Sequence, residues 1–114
     1  MKKAKQRKGR PKEETILERI RKAVEGVEPS AEVILYGSRA RGDADFESDY
    51  DLIILSDGPA TLKREDIFRR QLFSIEIETG AVLTVLLANR KEWNSTISRA
   101  MPFHQSVERD GIIL

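Results

Sequence analysis

The stretch from Val33 to Leu55, which reads VILYGSRARGDADFESDYDLIIL, decides the fold. Its two ends are short apolar runs rich in β-branched residues, and such runs predict buried strands. The first run stops at Gly37, and the second strand is predicted over residues 49–55. The segment between them is rich in glycine and charge, so we expect a turn or loop with one helical turn there.

The segments before and after this stretch carry apolar residues at helical spacing. From Glu13 apolar residues recur every three or four positions, which predicts an amphipathic helix that ends near Gly26 to Pro29, before the first strand. Residues 62–79 fit both helical spacing and strand alternation. We favour a helix because Gly80 stands where a C-terminal cap belongs and the segment is rich in charged residues.

The C-terminal third predicts one more strand and two helices. Residues 82–88 are nearly all apolar, which predicts a strand buried on both faces. Asn89 is a candidate N-cap for a helix that runs to about Ala100, and a short final helix is expected to end at Gly111. This order of elements predicts an α/β (α+β) domain with helices packed on a small sheet.

Composition limits the classes of protein and site. A chain of 114 residues with 39% apolar and 34% charged residues is sufficient for one compact domain. It has no cysteine and one histidine, which excludes disulfides, thiolate metal sites and histidine-rich zinc sites, so any metal must be held by oxygen. We find neither an apolar membrane span nor a signal-peptide core, and we expect a cytoplasmic protein with no membrane contact.

The first twelve residues differ from the rest. They hold seven of the 20 Lys and Arg residues and none of the 19 Asp and Glu residues. We interpret residues 1–12 as a disordered basic arm and residues 13–114 as the folded domain. The arm is either a solvated tail or a nucleic-acid contact through residues 2–12, because the run from Lys8 to Lys12 resembles the core of an AT-hook. The second interpretation predicts binding that weakens steeply with salt.

Four residues around the loop form a candidate site. Gly37 and Ser38 directly follow a strand, where backbone N–H groups and a hydroxyl can bind phosphate oxygens. Asp49 and Asp51 lie two apart on the next strand, so their side chains share one face with Cα atoms roughly 6–7 Å apart. Two such carboxylates repel unless a cation lies between them, and Mg²⁺ is the natural candidate. Alone, the Asp pair could cap a sheet edge and Gly-Ser could be any turn.

The combined pattern is more specific. Residues 37–42 (GSRARG) are followed after five residues by residues 48–52 (SDYDL). This string resembles the signature of the nucleotidyltransferase superfamily that includes DNA polymerase beta and kanamycin nucleotidyltransferase. It is most similar to the small MNT-type members, which are often antitoxins paired with a HEPN-domain toxin. The resemblance implies a nucleotidyltransferase fold with a small mixed β-sheet and a HEPN-domain protein as partner.

The resemblance also implies an activity. The chain would transfer a nucleoside monophosphate from a nucleoside triphosphate, with ATP expected, to a protein acceptor. Gly37 and Ser38 would bind the β- and γ-phosphates, and Asp49 and Asp51 would be the catalytic residues that hold Mg²⁺. Three further residues are candidates for the substrate site, Arg39 and Arg41 as phosphate partners and Ser48 as a cap for the Asp pair.

One position departs from the family pattern. The superfamily usually has a third carboxylate on a following strand, and the position where we expect it is Thr84. Glu76 and Glu78 are the nearest acidic candidates, although a helix over residues 62–79 would place them on its exposed side. Two hypotheses follow: an enzyme in which another group substitutes, or a catalytically impaired protein that neutralises a HEPN-type partner by binding. Trp93 is expected to be a packing residue, and His104 is expected to be a surface or packing residue.

Overall fold

The computed structural model describes residues 1–4, 11–45 and 48–114. Within these ranges, no helix combines the length and apolar character needed to span a bilayer. The predicted succession of helices and strands from the first helix to the last is largely confirmed. The elements in chain order are β1 (Lys2–Lys3), α1 (Pro11–Val27), β2 (Glu32–Tyr36), α2 (Gly37–Arg41), β3 (Tyr50–Ser56), α3 (Leu62–Thr79), β4 (Leu83–Asn89), α4 (Arg90–Trp93), α5 (Thr96–Arg99), α6 (Pro102–Asp110) and β5 (Ile112–Ile113).

The strands form one mixed sheet in the order β1–β5–β2–β3–β4. Strands β2 and β3 are antiparallel and are joined by the segment that contains α2. Strands β3 and β4 are parallel, so they need a crossover, which α3 provides. The predicted α/β class is therefore confirmed. The carboxyl end of β2 and the amino ends of β3 and β4 meet at the same end of the sheet.

Helices α1 and α3 cover one face of the sheet. They bury aliphatic residues at helical spacing against alternate residues of β3, including Tyr50, Leu52 and Ile54. Gly80 has φ of 75° and its N–H donates to the carbonyl of Glu76, so the predicted helix over residues 62–79 and its glycine cap are confirmed. The buried apolar residues of these two helices are Ile16, Leu17, Ile20, Val24, Phe68, Leu72 and Ile75.

The opposite face carries a smaller second layer made by α4, α5 and α6. Trp93 and Val107 pack against Ile34, Ile53 and Leu55, which alternate with the residues that face α1 and α3. This layer covers the middle of β2 and β3. It leaves the site end of that face partly open.

Strand β4 corrects the prediction of burial on both faces. Among the residues that the structure describes, it lies at the edge of the sheet beside β3. Val82, just before it, and Leu86 are 51% and 40% exposed. Thr84 is exposed as well. The apolar run was misleading because the second layer rests on β2 and β3 and does not extend over these β4 side chains.

The predicted helix from Asn89 to Ala100 is wrong in its continuity. Asn89 does cap a helix, since its side chain accepts from the N–H of Glu92, but α4 ends at Trp93. A second cap at Ser95, which accepts from the N–H of Ser98, starts α5. Two side-chain caps six residues apart compete with one continuous helix. The last helix, α6, ends before Gly111 as predicted.

Half of the proposed basic arm, residues 5–10, lies outside the described residues. At its edges the structure differs from the predicted boundary. Lys2 and Lys3 form β1, which pairs in parallel with Ile112 and Ile113, and α1 begins at Pro11. The proposed contact with nucleic acid through residues 2–12 stays a prediction.

Candidate functional site

The turn at Gly37 favours glycine for two reasons. Strand β2 ends at Tyr36. The next residue, Gly37, has a backbone φ of +74°, a conformation that residues other than glycine rarely adopt. A Cβ atom at Gly37 would also overlap the Oδ2 atom of Asp51. The carboxylate of Asp51 therefore lies directly against the backbone of this turn. The structure brings together two parts of the predicted site that are 14 positions apart in the chain.

Asp49 and Asp51 lie at the amino end of β3. Asp49 is exposed and precedes the strand, whereas Asp51 is partly buried as its second residue. Burial and repulsion by the Asp49 carboxylate raise the pKa of Asp51 above the usual aspartate value, and the charge of Arg41 opposes the rise in part. A bound cation would relieve this repulsion, because it lies between the two negative charges.

The described residues supply only these two carboxylates. Across residues 1–4, 11–45 and 48–114, no group of three or more His, Cys, Asp or Glu side chains is placed to hold a metal. The register explains why, since Asp51 pairs with Thr84 of β4 at the position where we expected a third carboxylate. Paired residues on neighbouring strands point to the same face, so Thr84 stands beside Asp51 with a hydroxyl instead.

The two acidic candidates on α3 lie elsewhere. Glu78 forms an ion pair with Arg19 of α1, with 2.5 Å between Arg19 Nη2 and Glu78 Oε2. Glu76 accepts from the backbone N–H of Leu83, 3.2 Å away. Both contacts lie on the side of the sheet that α1 and α3 cover or at its edge, so neither carboxylate replaces the missing ligand.

Arg39, which the sequence predicts as a phosphate partner, is buried in the structure. Its side chain is 7% exposed and faces inward, where Nη1 lies 3.2 Å from Glu13 Oε2. Nε donates to the backbone carbonyl of Ser48 at 2.8 Å, and the guanidinium lies 4.0 Å from the ring centre of Tyr50. Arg39 therefore ties α2 to α1 and to the start of β3. Arg39 is the buried residue of α2, whereas Arg41, two positions later in the helix, is exposed.

The remaining candidate residues lie around the two carboxylates. Arg41 is exposed and pairs with Asp43 at 3.3 Å, in a position from which its charge reaches Asp51. The Ser38 hydroxyl has no recorded hydrogen bond to any residue that the structure describes. The Ser48 hydroxyl donates to Asp45, and the Ser48 carbonyl accepts from Arg39, so Ser48 fixes the backbone just before Asp49.

Tyr36 is a site residue that the sequence analysis missed. It pairs with Asp51 in register, on the opposite side from Thr84. Burial and the Asp51 carboxylate raise the pKa of its hydroxyl, and its ring meets Phe103 edge-on at 5.5 Å. Its position directly before Gly37 was the sequence feature that could have identified Tyr36 as a site residue. The sequence could not show which residue of β3 it would pair with.

Trp93 and His104 pack as predicted. His104 is 3% exposed, and its ring lies 4.2 Å from that of Trp93. Its Nε2 atom is buried and has no hydrogen-bond partner among the described residues. Both rings belong to the second layer, away from the two carboxylates.

A comparison with models of protein families gives a match over most of the chain. The chain matches the model of the family described as "Nucleotidyltransferase domain" over residues 17–107. This range includes most of α1, the turn, both aspartates and most of α6. A search of curated proteins finds no match.

Proposed function

Because the chain belongs to the nucleotidyltransferase domain family, whose members transfer nucleotidyl groups, we propose that its donor is a nucleoside triphosphate, ATP first, and its acceptor a protein. One observation carries the proposal. The Asp51 carboxylate lies against the Gly37 turn, beside Ser38 and within the electrostatic reach of Asp49. A turn suited to phosphates and a carboxylate pair suited to a cation therefore share one place.

We propose that Asp49 and Asp51 hold Mg²⁺. The donor set fits, because Mg²⁺ prefers oxygen ligands and binds through one or two carboxylates together with substrate phosphates. Burial first and the Asp49 charge second raise the pKa of Asp51, and a bound cation would offset both effects by stabilising the ionised carboxylate. When bound, the ion would neutralise charge on the phosphate oxygens around the reacting phosphorus.

The turn would bind the triphosphate. Gly37 lets the backbone approach the phosphates without a Cβ, and the Ser38 hydroxyl can donate to a phosphate oxygen. Arg41 is exposed and can swing from Asp43 to the phosphates. We assign Arg39 a positioning role, since it holds the backbone before Asp49 through the Ser48 carbonyl.

A protein acceptor suits the surroundings of the site. Leu86 shares the sheet face of Asp51, and Phe103 contacts Tyr36; these two side chains and Met101 are 40–54% exposed. Exposed apolar side chains beside a site favour contact with another protein. We further propose that the partner is a HEPN-domain protein and that the pair works as toxin and antitoxin, as the family resemblance implies.

The test uses an Asp49→Asn/Asp51→Asn double variant. ATP with Mg²⁺ should stabilise the native chain against heat, because a ligand that binds only the folded state raises its stability, and the double variant should lose most of that gain. Intact-mass spectrometry of a co-expressed protein partner should then show one added nucleotide with the native chain only. Equal stabilisation of both proteins would place the metal elsewhere.

Thr84 favours a second candidate function, a nucleotide-binding protein that neutralises its partner without transfer. Without a third carboxylate, nothing at that register position can take the proton of the attacking hydroxyl. A Thr84→Asp variant distinguishes the two. If transfer to the partner appears only in this variant, the native chain acts by binding.

A further inference from the structure

Three residues form a row across the site end of the sheet. Tyr36 of β2 and Thr84 of β4 both pair with Asp51 of β3, one on each side. All three side chains point to one face, and neighbouring strands lie about 4.8 Å apart. Asp51 therefore has one hydroxyl-bearing residue on the side of the Gly37 turn and another on the open side.

The order of the strands indicates from which side of Asp51 the nucleophile attacks. If Gly37 and Ser38 bind the β- and γ-phosphates, the leaving pyrophosphate lies on the β2 side of Asp51. Attack on the α-phosphorus is in line with the bond that breaks, so the nucleophile enters from the opposite side. That side belongs to β4, and Thr84 is the residue there that pairs with Asp51.

The Thr84 hydroxyl is suited to this position. The residue is exposed, and no hydrogen bond from its side chain to another described residue is recorded. The second helical layer leaves this part of β4 open, as the 40% exposure of Leu86 shows. Tyr36, in contrast, lies on the leaving-group side with its ring against Phe103.

We propose that Thr84 is itself a nucleotidyl acceptor, so that the chain modifies itself once. This inference rests on the proposed function. The Thr84 oxygen forms a bond to the α-phosphorus, and the bond from that phosphorus to the bridging oxygen of pyrophosphate breaks. Pyrophosphate leaves with the electron pair, and the threonine proton passes to water at the open face. The product is a phosphodiester that covers Asp51, so modification stops at one nucleotide per chain.

The experiment is intact-mass spectrometry of the chain after incubation with ATP and Mg²⁺, followed by peptide mapping. We expect one nucleotide on the peptide that contains Thr84, with a modified fraction that rises at a rate independent of protein concentration. Thr84→Val should reduce the adduct to the level of the Asp49→Asn/Asp51→Asn variant. Thr84→Ser keeps a hydroxyl and should be modified, and so should Thr96→Val, a matched change at an exposed threonine of α5.

The outcomes separate this inference from the function on which it rests. Stabilisation by ATP and Mg²⁺ that depends on both aspartates, without an adduct at Thr84, overturns self-modification and leaves the proposed function standing. An adduct that persists in Thr84→Val, or maps to Tyr36 or Ser38, overturns the assignment of the acceptor. Absence of both stabilisation and adduct overturns both proposals.

Discussion

Replacement of Gly37 by alanine tests the contact on which the site depends. Gly37 has φ of +74°, and an added Cβ would overlap Asp51 Oδ2 and lie 3.3 Å from Asp51 Cγ. Gly80 provides a matched control, because its φ is +75° but an added Cβ there would meet no atom within 4 Å. Both variants therefore place alanine in a left-handed backbone conformation, but only Gly37→Ala brings the new Cβ into collision with Asp51.

The backbone cost is expected to be similar at both positions. A residue other than glycine in the left-handed region lowers the free energy of unfolding by roughly 1–2 kcal/mol. Asp51 Oδ2 is the end of a side chain with two rotatable bonds, so the carboxylate can turn away from the new methyl group. Gly37→Ala should therefore lose only slightly more free energy of unfolding than Gly80→Ala. The collision should chiefly change where the carboxylate points.

The assay is urea unfolding with and without ATP and Mg²⁺. Ligand at about 100 times its dissociation constant adds about 2.7 kcal/mol to the free energy of unfolding. Gly80→Ala should retain this gain, whereas Gly37→Ala should lose most of it because Asp51 no longer faces the cation. In an Asp51→Ala background the collision is absent, so Gly37→Ala should cost no more there than Gly80→Ala.

A full ligand-dependent gain in Gly37→Ala would refute the reasoning. It would mean that the position of the Asp51 carboxylate against the turn is not needed for binding.

Two further predictions concern the charges around the site. Arg39→Met removes the buried ion pair between Arg39 Nη1 and Glu13 Oε2, which lie 3.2 Å apart, and the hydrogen bond to the Ser48 carbonyl, so urea unfolding should show a loss of about 3 kcal/mol in the free energy of unfolding. A loss within experimental error would remove Arg39 from its positioning role. The pKa of Asp51 is raised in the folded chain, so the folded state binds the carboxyl proton of Asp51 more tightly than the unfolded state does. The free energy of unfolding therefore falls as the pH rises from the ordinary aspartate pKa through the raised one. Without divalent cations, Asp51→Asn should therefore gain stability relative to the native chain across that pH window, and a difference that does not change with pH would contradict the assignment.

The local features of this protein could be predicted from its sequence because they depend on near neighbours. Helix α1 follows from its apolar spacing, and the end of α3 follows from Gly80. The spacing of Asp49 and Asp51 placed two carboxylates on one side of a strand, since side-chain direction alternates along any strand. The glycine turn after a buried run completed the candidate site.

Only the tertiary structure decided which distant residues meet. Strand register placed Tyr36 and Thr84 beside Asp51, and the position of β4 at the edge of the sheet left its apolar run partly exposed. The inward direction of Arg39 depends on Glu13, which lies 26 residues earlier in the chain. Periodicity along the chain determines which face a side chain takes, but pairing between strands determines what lies on that face, and pairing is settled by packing of the whole domain.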